Sequence, residues 1–157
     1  YVPQDVTLFY GSLRDNLTLA HTGVGDSALV RAAEIANLGE FINRHPEGFD
    51  MMIGERGATL SGGQRKCVAL ARALVGDPPI LLMDEPTGSM DHSTETAVRS
   101  QLETYLQGRT WLVVTHRNSL LSMVDRIIVI DNGRLVADGP RDKVIEALQQ
   151  GRIGKVK

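Results

Sequence analysis

Three short stretches carry the residue types that chemistry on a phosphate would need. The first is Leu60-Ser61-Gly62-Gly63-Gln64. Ser61 followed three residues later by Gln64 has capping-box spacing, so a helix is expected to begin at Gly62 and run through Val68, Ala71, Leu74 and Val75 to Gly76. By itself that reads as a capped helix. Two glycines in the first turn cost about 1 kcal/mol each relative to alanine and give no packing in return. They point to a second reading, an anion approaching the N–H groups and positive end of the helix, with the Ser61 hydroxyl as a further donor. The second stretch is Ile80-Leu81-Leu82-Met83-Asp84-Glu85, an apolar run ending in two carboxylates. On a strand they would lie at the carboxyl edge of the sheet, where open α/β folds bind ligands. Either they solvate a strand end, or Asp84 holds a magnesium ion, directly or through water, and Glu85 positions an attacking water. The third is the run 111–114 ending in Thr115-His116. The histidine is either structural or, if the two strands are neighbours, a contact to a terminal phosphate beside Glu85.

The elements that must position these residues follow from hydrophobic pattern. Residues 80–83, 111–114 and 127–130 are short apolar runs without alternation, as in a parallel sheet covered on both faces. After the third, Asp131-Asn132-Gly133 predicts a hairpin, with 134–137 returning antiparallel at a sheet edge. Helical spacing recurs at Ala97 or Val98, Leu102, Tyr105 and Leu106 before Gly108. It recurs at Leu29, Ala32, Ala33 and Ala36, with Asp26 or Ser27 as N-cap and a stop at Gly39, and again at Val144, Ile145 and Leu148 before Gly151. Residues 13–56 have helical pattern without a strand, whereas strands and helices alternate from 80 onward. The expected organisation is a helical subdomain (about 13–56) beside an α/β part (about 62–157). The 157 residues suffice for a buried core. Seventeen Lys and Arg against 19 Asp and Glu give a net charge of −2, which nominates no nucleic-acid partner. A single cysteine, Cys67, excludes an internal disulfide and a multi-cysteine metal site.

Taken in order, LSGGQ, the apolar run ending Asp84-Glu85, Ser89-Met90-Asp91 and His116 resemble the nucleotide-binding domain of ABC transporters over nearly the whole chain. The resemblance implies a partial ABC ATPase domain of α/β class, a helical subdomain plus the distal part of a RecA-like, mostly parallel core. Its cofactors would be ATP and Mg2+. Tyr1-Val2-Pro3-Gln4 resembles the Q-loop, so Gln4 would sense the metal and the γ-phosphate. Leu60, Ser61, Gly62, Gly63 and Gln64 would form the signature loop. Asp84 would be the Walker B aspartate that holds magnesium, Glu85 the catalytic glutamate, Asp91 the D-loop aspartate and His116 the switch histidine. The implied partners are a second nucleotide-binding domain, paired head to tail, and the coupling helices of a transmembrane domain. The implied location is the cytoplasmic face of a bacterial inner membrane.

Ile53-Gly54-Glu55-Arg56-Gly57 resembles the X-loop of exporters, where Glu55 would face the coupling helices. Phe9-Tyr10-Gly11-Ser12-Leu13-Arg14-Asp15-Asn16-Leu17 and the tail Gly151-Arg152-Ile153-Gly154 resemble ATPases of type I secretion, which implies an exported polypeptide. A soluble ABC ATPase acting on DNA or ribosomes shares the signature and Walker B residues, but the X-loop wording with Glu55 argues against it. A non-catalytic interaction module is a third reading. The chain has no G-x-x-x-x-G-K-[ST] phosphate loop: Gly57 to Gly63 lacks the lysine and Gly154-Lys155 is followed by Val156. In the family that loop precedes the Q-loop, so the N-terminal half of the domain is expected to lie outside this chain, and the chain alone is expected to be inactive.

Overall fold

Local chemistry starts each of the first helices differently. In a computed structural model, which describes residues 1–19, 21 and 23–151, Ser12 caps α1 (Leu13–Thr18) through reciprocal bonds with Asp15. The next helix, α2 (Asp26–Ile35), has Gly25 at its N-cap and no side-chain cap bond. Neither Asp26 nor Ser27 is therefore the cap that was expected. Asp26 sits in the first turn, where its charge suits the helix dipole, and accepts from Arg14 at 2.6 Å. The stop also moves. Asn37 adopts φ 57°, its N–H reaches the Glu34 carbonyl at 3.0 Å, and the Leu38 N–H reaches Ala33 at 2.8 Å. This is a Schellman closure with asparagine in place of glycine, and Gly39 opens α3 (Gly39–Arg44) rather than ending α2. Two 3₁₀ turns follow, Gly48–Asp50 and Glu55–Gly57.

The predicted capping box at Ser61 forms and starts α4 (Gly62–Leu74). Residues 66–71 and Leu74 of α4 are all buried, so this helix is the centre of the first unit, Tyr1–Thr115. Its left-handed terminator is Asp77, at φ 48°, and not Gly76. Gly76 is needed for space, because a Cβ there would run into the His21 ring.

Strand β1 (Ile80–Asp84), helix α5 (His92–Tyr105) and strand β2 (Thr110–Val114) complete this unit. The two strands pair in parallel, with Ile80 opposite Thr110 and Asp84 opposite Val114. Val2 forms a parallel bridge to Met83 on the other edge of β1, its N–H bonding Leu82 and its carbonyl taking the Asp84 N–H, each at 2.8 Å. Leu81 and Met83 are buried, while Ile80, Leu82, Leu112 and Val114 are exposed. The expectation of a sheet covered on both faces is thus corrected. The residues are apolar on both faces, but the described chain covers only one of them.

The second unit begins at His116 and contains α6 (Asn118–Leu121), β3 (Arg126–Asp131), β4 (Arg134–Pro140) and α7 (Arg141–Gln149). Among the described residues β3 pairs only with β4, antiparallel, so the third apolar run does not extend the parallel sheet as expected. The turn behaves as its sequence predicts, with Asn132 at φ 48° and Gly133 at φ 74°, the two left-handed residues of a tight hairpin. Ile127, Leu120 and Val144 form the buried side of this unit.

Candidate functional site

Two helix starts meet in the first unit. Ser61 Oγ accepts from the Gln64 N–H at 3.1 Å and Gln64 Oε1 accepts from the Ser61 N–H at 2.8 Å. Leu60 is buried and fixes the approach to the helix, its carbonyl accepting from Arg65 at 2.7 Å. The two glycines have a packing purpose that the sequence reading denied them. A Cβ on Gly63 would lie 3.3 Å from the Ser89 carbonyl oxygen, and one on Gly62 3.4 Å from Ser89 Cβ. They let the loop 88–91 lie against the start of α4. On that loop, Asp91 caps α5: its two oxygens accept from the N–H and hydroxyl of both Ser93 and Thr94. Those donors, the Ser93 side chain first, hold its carboxyl far below the usual carboxylate range. Ser61, Gly63, Gln64 and Asp91 line an open cleft of about 260 Å3 together with Asn37, Phe41 and Arg44.

The carboxyl end of β1 holds the second group. Glu85 follows the strand at φ 44°, a left-handed backbone that costs a non-glycine residue about 1–3 kcal/mol and persists only where the surroundings impose it. Here the Glu85 N–H bonds the Val114 carbonyl at 2.9 Å, and Thr115 Oγ1 donates to Glu85 Oε2 at 3.2 Å. The parallel pair therefore aims the Glu85 carboxylate. Asp84, half-buried, is joined through its N–H to Val2, so the 1–4 segment and the two acids share one sheet edge. The Gln4 side chain is exposed. His116 directly follows Thr115 and is the first residue of the second unit.

Sequence reasoning missed the cations that organise this end. Lys66, only 7% exposed, donates to the carbonyls of Pro3 at 3.2 Å and Gln4 at 2.6 Å. Burial pushes its ammonium down from the usual lysine value, opposed by Asp5, Asp84 and Glu85. One turn and a half further along α4, Arg72 donates to the carbonyls of Asn16 at 2.7 Å and Thr7 at 3.0 Å. A lysine in a helix buried all round must be paired, and that was the available signal. Glu55 lies with Thr7, Leu8, Phe9, Tyr10 and Arg56 around an open groove of about 360 Å3. Gly57, at φ 67°, packs closely against the Leu8 side chain, since a Cβ there would lie 2.7 Å from Leu8 Cδ1.

The donor set fits the groups expected of it in part. The exposed Ser61 hydroxyl and the start of α4 suit an anion. Asp84 is a single carboxylate, and no cluster of three or more His, Cys, Asp or Glu able to hold a metal exists among the described residues. Magnesium characteristically takes one or two carboxylates together with substrate phosphates, so Asp84 and Gln4 suit a shared metal and not an all-protein cage.

The ABC transporter family model matches residues 1–88, and the chain belongs to that family. It is 38% identical over 154 residues to the heterocyst differentiation ATP-binding protein HepA of Nostoc sp. strain PCC 7120, covering 98% of this chain and 25% of that protein. It is 44% identical over 146 residues to the ATP-dependent lipid A-core flippase of Alkalilimnicola ehrlichii, covering 92% of this chain and 25% of the flippase. A bacterial Atm1-family ABC exporter solved with ATP bound superposes with a TM-score of 0.87 at 36% identity, over 96% of this chain and 28% of the exporter chain. The chain therefore spans about a quarter of the length of these relatives. The α/β fold is that of part of an ABC ATPase domain. No helix among the described residues is long and apolar enough to cross a membrane.

Proposed function

We propose that this chain forms the signature, Walker B and switch region of an ABC exporter ATPase, working with a phosphate-binding loop supplied from outside its 157 residues. Residues 13–56 serve as its helical subdomain and 62–157 as the distal part of its α/β core. The observation that carries the reading is Glu85, held at φ 44° and fixed through Thr115 beside Asp84. Strain of that kind is retained where a side chain must be aimed.

Bound Mg-ATP supplies the phosphoanhydride to be cleaved and the charge that polarises it. Asp84 and Gln4 would hold the metal, which would neutralise charge on the phosphates. Glu85 orients the attacking water and accepts its proton, a role worth about 10²- to 10⁴-fold in rate. His116 contacts the terminal phosphate. Ser61, the Gly62 and Gly63 amides and Gln64 close over nucleotide held by a second nucleotide-binding domain, paired head to tail. Asp91 shapes the loop that meets that partner. The groove of Thr7, Leu8, Phe9, Tyr10, Glu55 and Arg56 receives the coupling helices of a transmembrane domain, and the chain works at the cytoplasmic membrane face.

For the cargo, two observations support different classes. The wording of residues 9–17 supports a polypeptide exported by type I secretion; the companion signal, 151–154, lies outside the described residues beyond Gly151. The kinship with lipid A-core flippases supports a lipid-linked saccharide. ATP turnover by the full-length exporter, measured with and without lipid A-core and with and without a secreted polypeptide, separates them, since the true cargo stimulates turnover. Glu85→Gln in the same protein is expected to abolish turnover while ATP still binds. Normal turnover by that variant overturns the assignment.

A further inference from the structure

We propose that Lys66 is a positioning residue that ties the Pro3–Gln4 backbone to helix α4, so that the signature end of α4, Gln4 and the carboxyl end of β1 move as one body. The proposal rests on the ATPase reading above for its consequence in turnover, but its geometry stands without it. Residues 2–4 are held to the rest of the unit from two sides. On one side Val2 exchanges two backbone bonds of 2.8 Å with β1. On the other, the Lys66 ammonium reaches the carbonyls of Pro3 and Gln4 at 3.2 and 2.6 Å, across more than sixty residues of chain.

Lys66 leaves α4 one turn after the Ser61 cap, so its stem spans from the signature loop to the Gln4 backbone. Burial disfavours a cation here and the charges of Asp5, Asp84 and Glu85 oppose that effect, while the Pro3 and Gln4 carbonyls accept the ammonium's hydrogen bonds. Arg72 repeats the device further along the same helix, at Thr7, where the groove of Thr7 and Glu55 begins. The segment between Gln4 and that groove is thus suspended from α4 at both ends. A displacement at the groove reaches Gln4 and the Ser61 cap through α4 and not through the loop alone. Charge-assisted bonds of this kind are about twice as strong as neutral ones.

The test uses the full-length exporter carrying Lys66→Met, which keeps the stem and removes the donors, and Lys66→Arg, which keeps the charge. Amide hydrogen exchange at Val2 and Asp84 reads the tether directly. Lys66→Met is expected to accelerate it about tenfold, the factor carried by one charged hydrogen bond. It is also expected to lower kcat with KM for Mg-ATP within about twofold, because Lys66 positions Gln4 and binds no nucleotide. Lys66→Arg is expected to restore both. Unchanged exchange in Lys66→Met, or a raised KM at unchanged kcat, overturns the proposal. A Glu85→Gln exporter that still turns over would sink the catalytic assignment of Glu85 alone, leaving the exchange result to judge the tether.

Discussion

Helices α4 and α5 start beside each other and are capped in opposite ways. Ser61 and Gln64 exchange one bond each, both neutral, and the hydroxyl stays exposed at the start of a helix whose first turn is glycine. Asp91 is saturated: four donors from Ser93 and Thr94 occupy its two oxygens. A cap whose partners are weak and exposed can take an incoming anion, whereas a saturated carboxylate can only hold its own loop. In the proposed function the first is a site that also begins a helix, and the second is a helix start that shapes that site.

The largest break in that comparison comes from Ser61→Ala, expected to cut ATP turnover by the full-length exporter about 10²-fold, as loss of one preorganised donor does. Its stability should fall by only about 1 kcal/mol in thermal unfolding. A Ser61→Ala protein with near-normal turnover would make the α4 cap purely structural. Gly63→Ala comes next. Its Cβ would meet the Ser89 carbonyl at 3.3 Å, so the loop must shift by a few tenths of an ångström. Turnover is expected to drop about tenfold, with the clash offset by a helix-propensity gain of about 1 kcal/mol.

Asp91→Ala should show the reverse balance, a lowered melting temperature with turnover affected less than in Ser61→Ala. The pH dependence sharpens this. The Asp91 carboxyl is depressed in the folded state, so its cap contributes fully above the unfolded carboxylate value of about 3.9 and is lost as pH falls from there through the folded value. Asp15, depressed by its bonds with Ser12, acts in the same direction at α1. Melting curves between neutral pH and pH 3 should therefore steepen below about pH 4, and Asp91→Asn should flatten part of that slope. The smallest effect concerns Cys67, one turn into α4, 2% exposed and pushed up to about 12 by burial. It should not react with a maleimide at pH 8 until the protein unfolds. Rapid labelling of the folded protein would show that the start of α4 opens.

Where bonding is local, the sequence could be read. The Ser61 box, the hairpin at Asn132-Gly133 and the apolar runs of β1, β2 and β3 all lie where spacing places them, because each depends on residues at most a few positions apart. The helix stops expected at Gly39 and Gly76 fall instead at the left-handed Asn37 and Asp77, a local miss, because a helix end needs the conformation and not the residue. Non-local determinants were illegible. That β3 does not extend the parallel sheet, and that the face of Ile80, Leu82, Leu112 and Val114 is bare, depend on what lies alongside in space. The site divides the same way: Asp84, Glu85 and the glycine-flanked cap announce themselves, while Lys66 reads as one more helix surface charge until Pro3 and Gln4 are brought against it.

Glu85 sits at φ 44°, a conformation that glycine adopts freely and that costs other residues about 1–3 kcal/mol. If Glu85 has the catalytic role proposed above, folding and hydrolysis select in opposite directions at this one codon. A descendant of this chain relieved of the need to hydrolyse would gain stability by exchanging its glutamate for glycine, and drift would carry it that way. Retention of the acid is a running expense that only continued use of the site maintains.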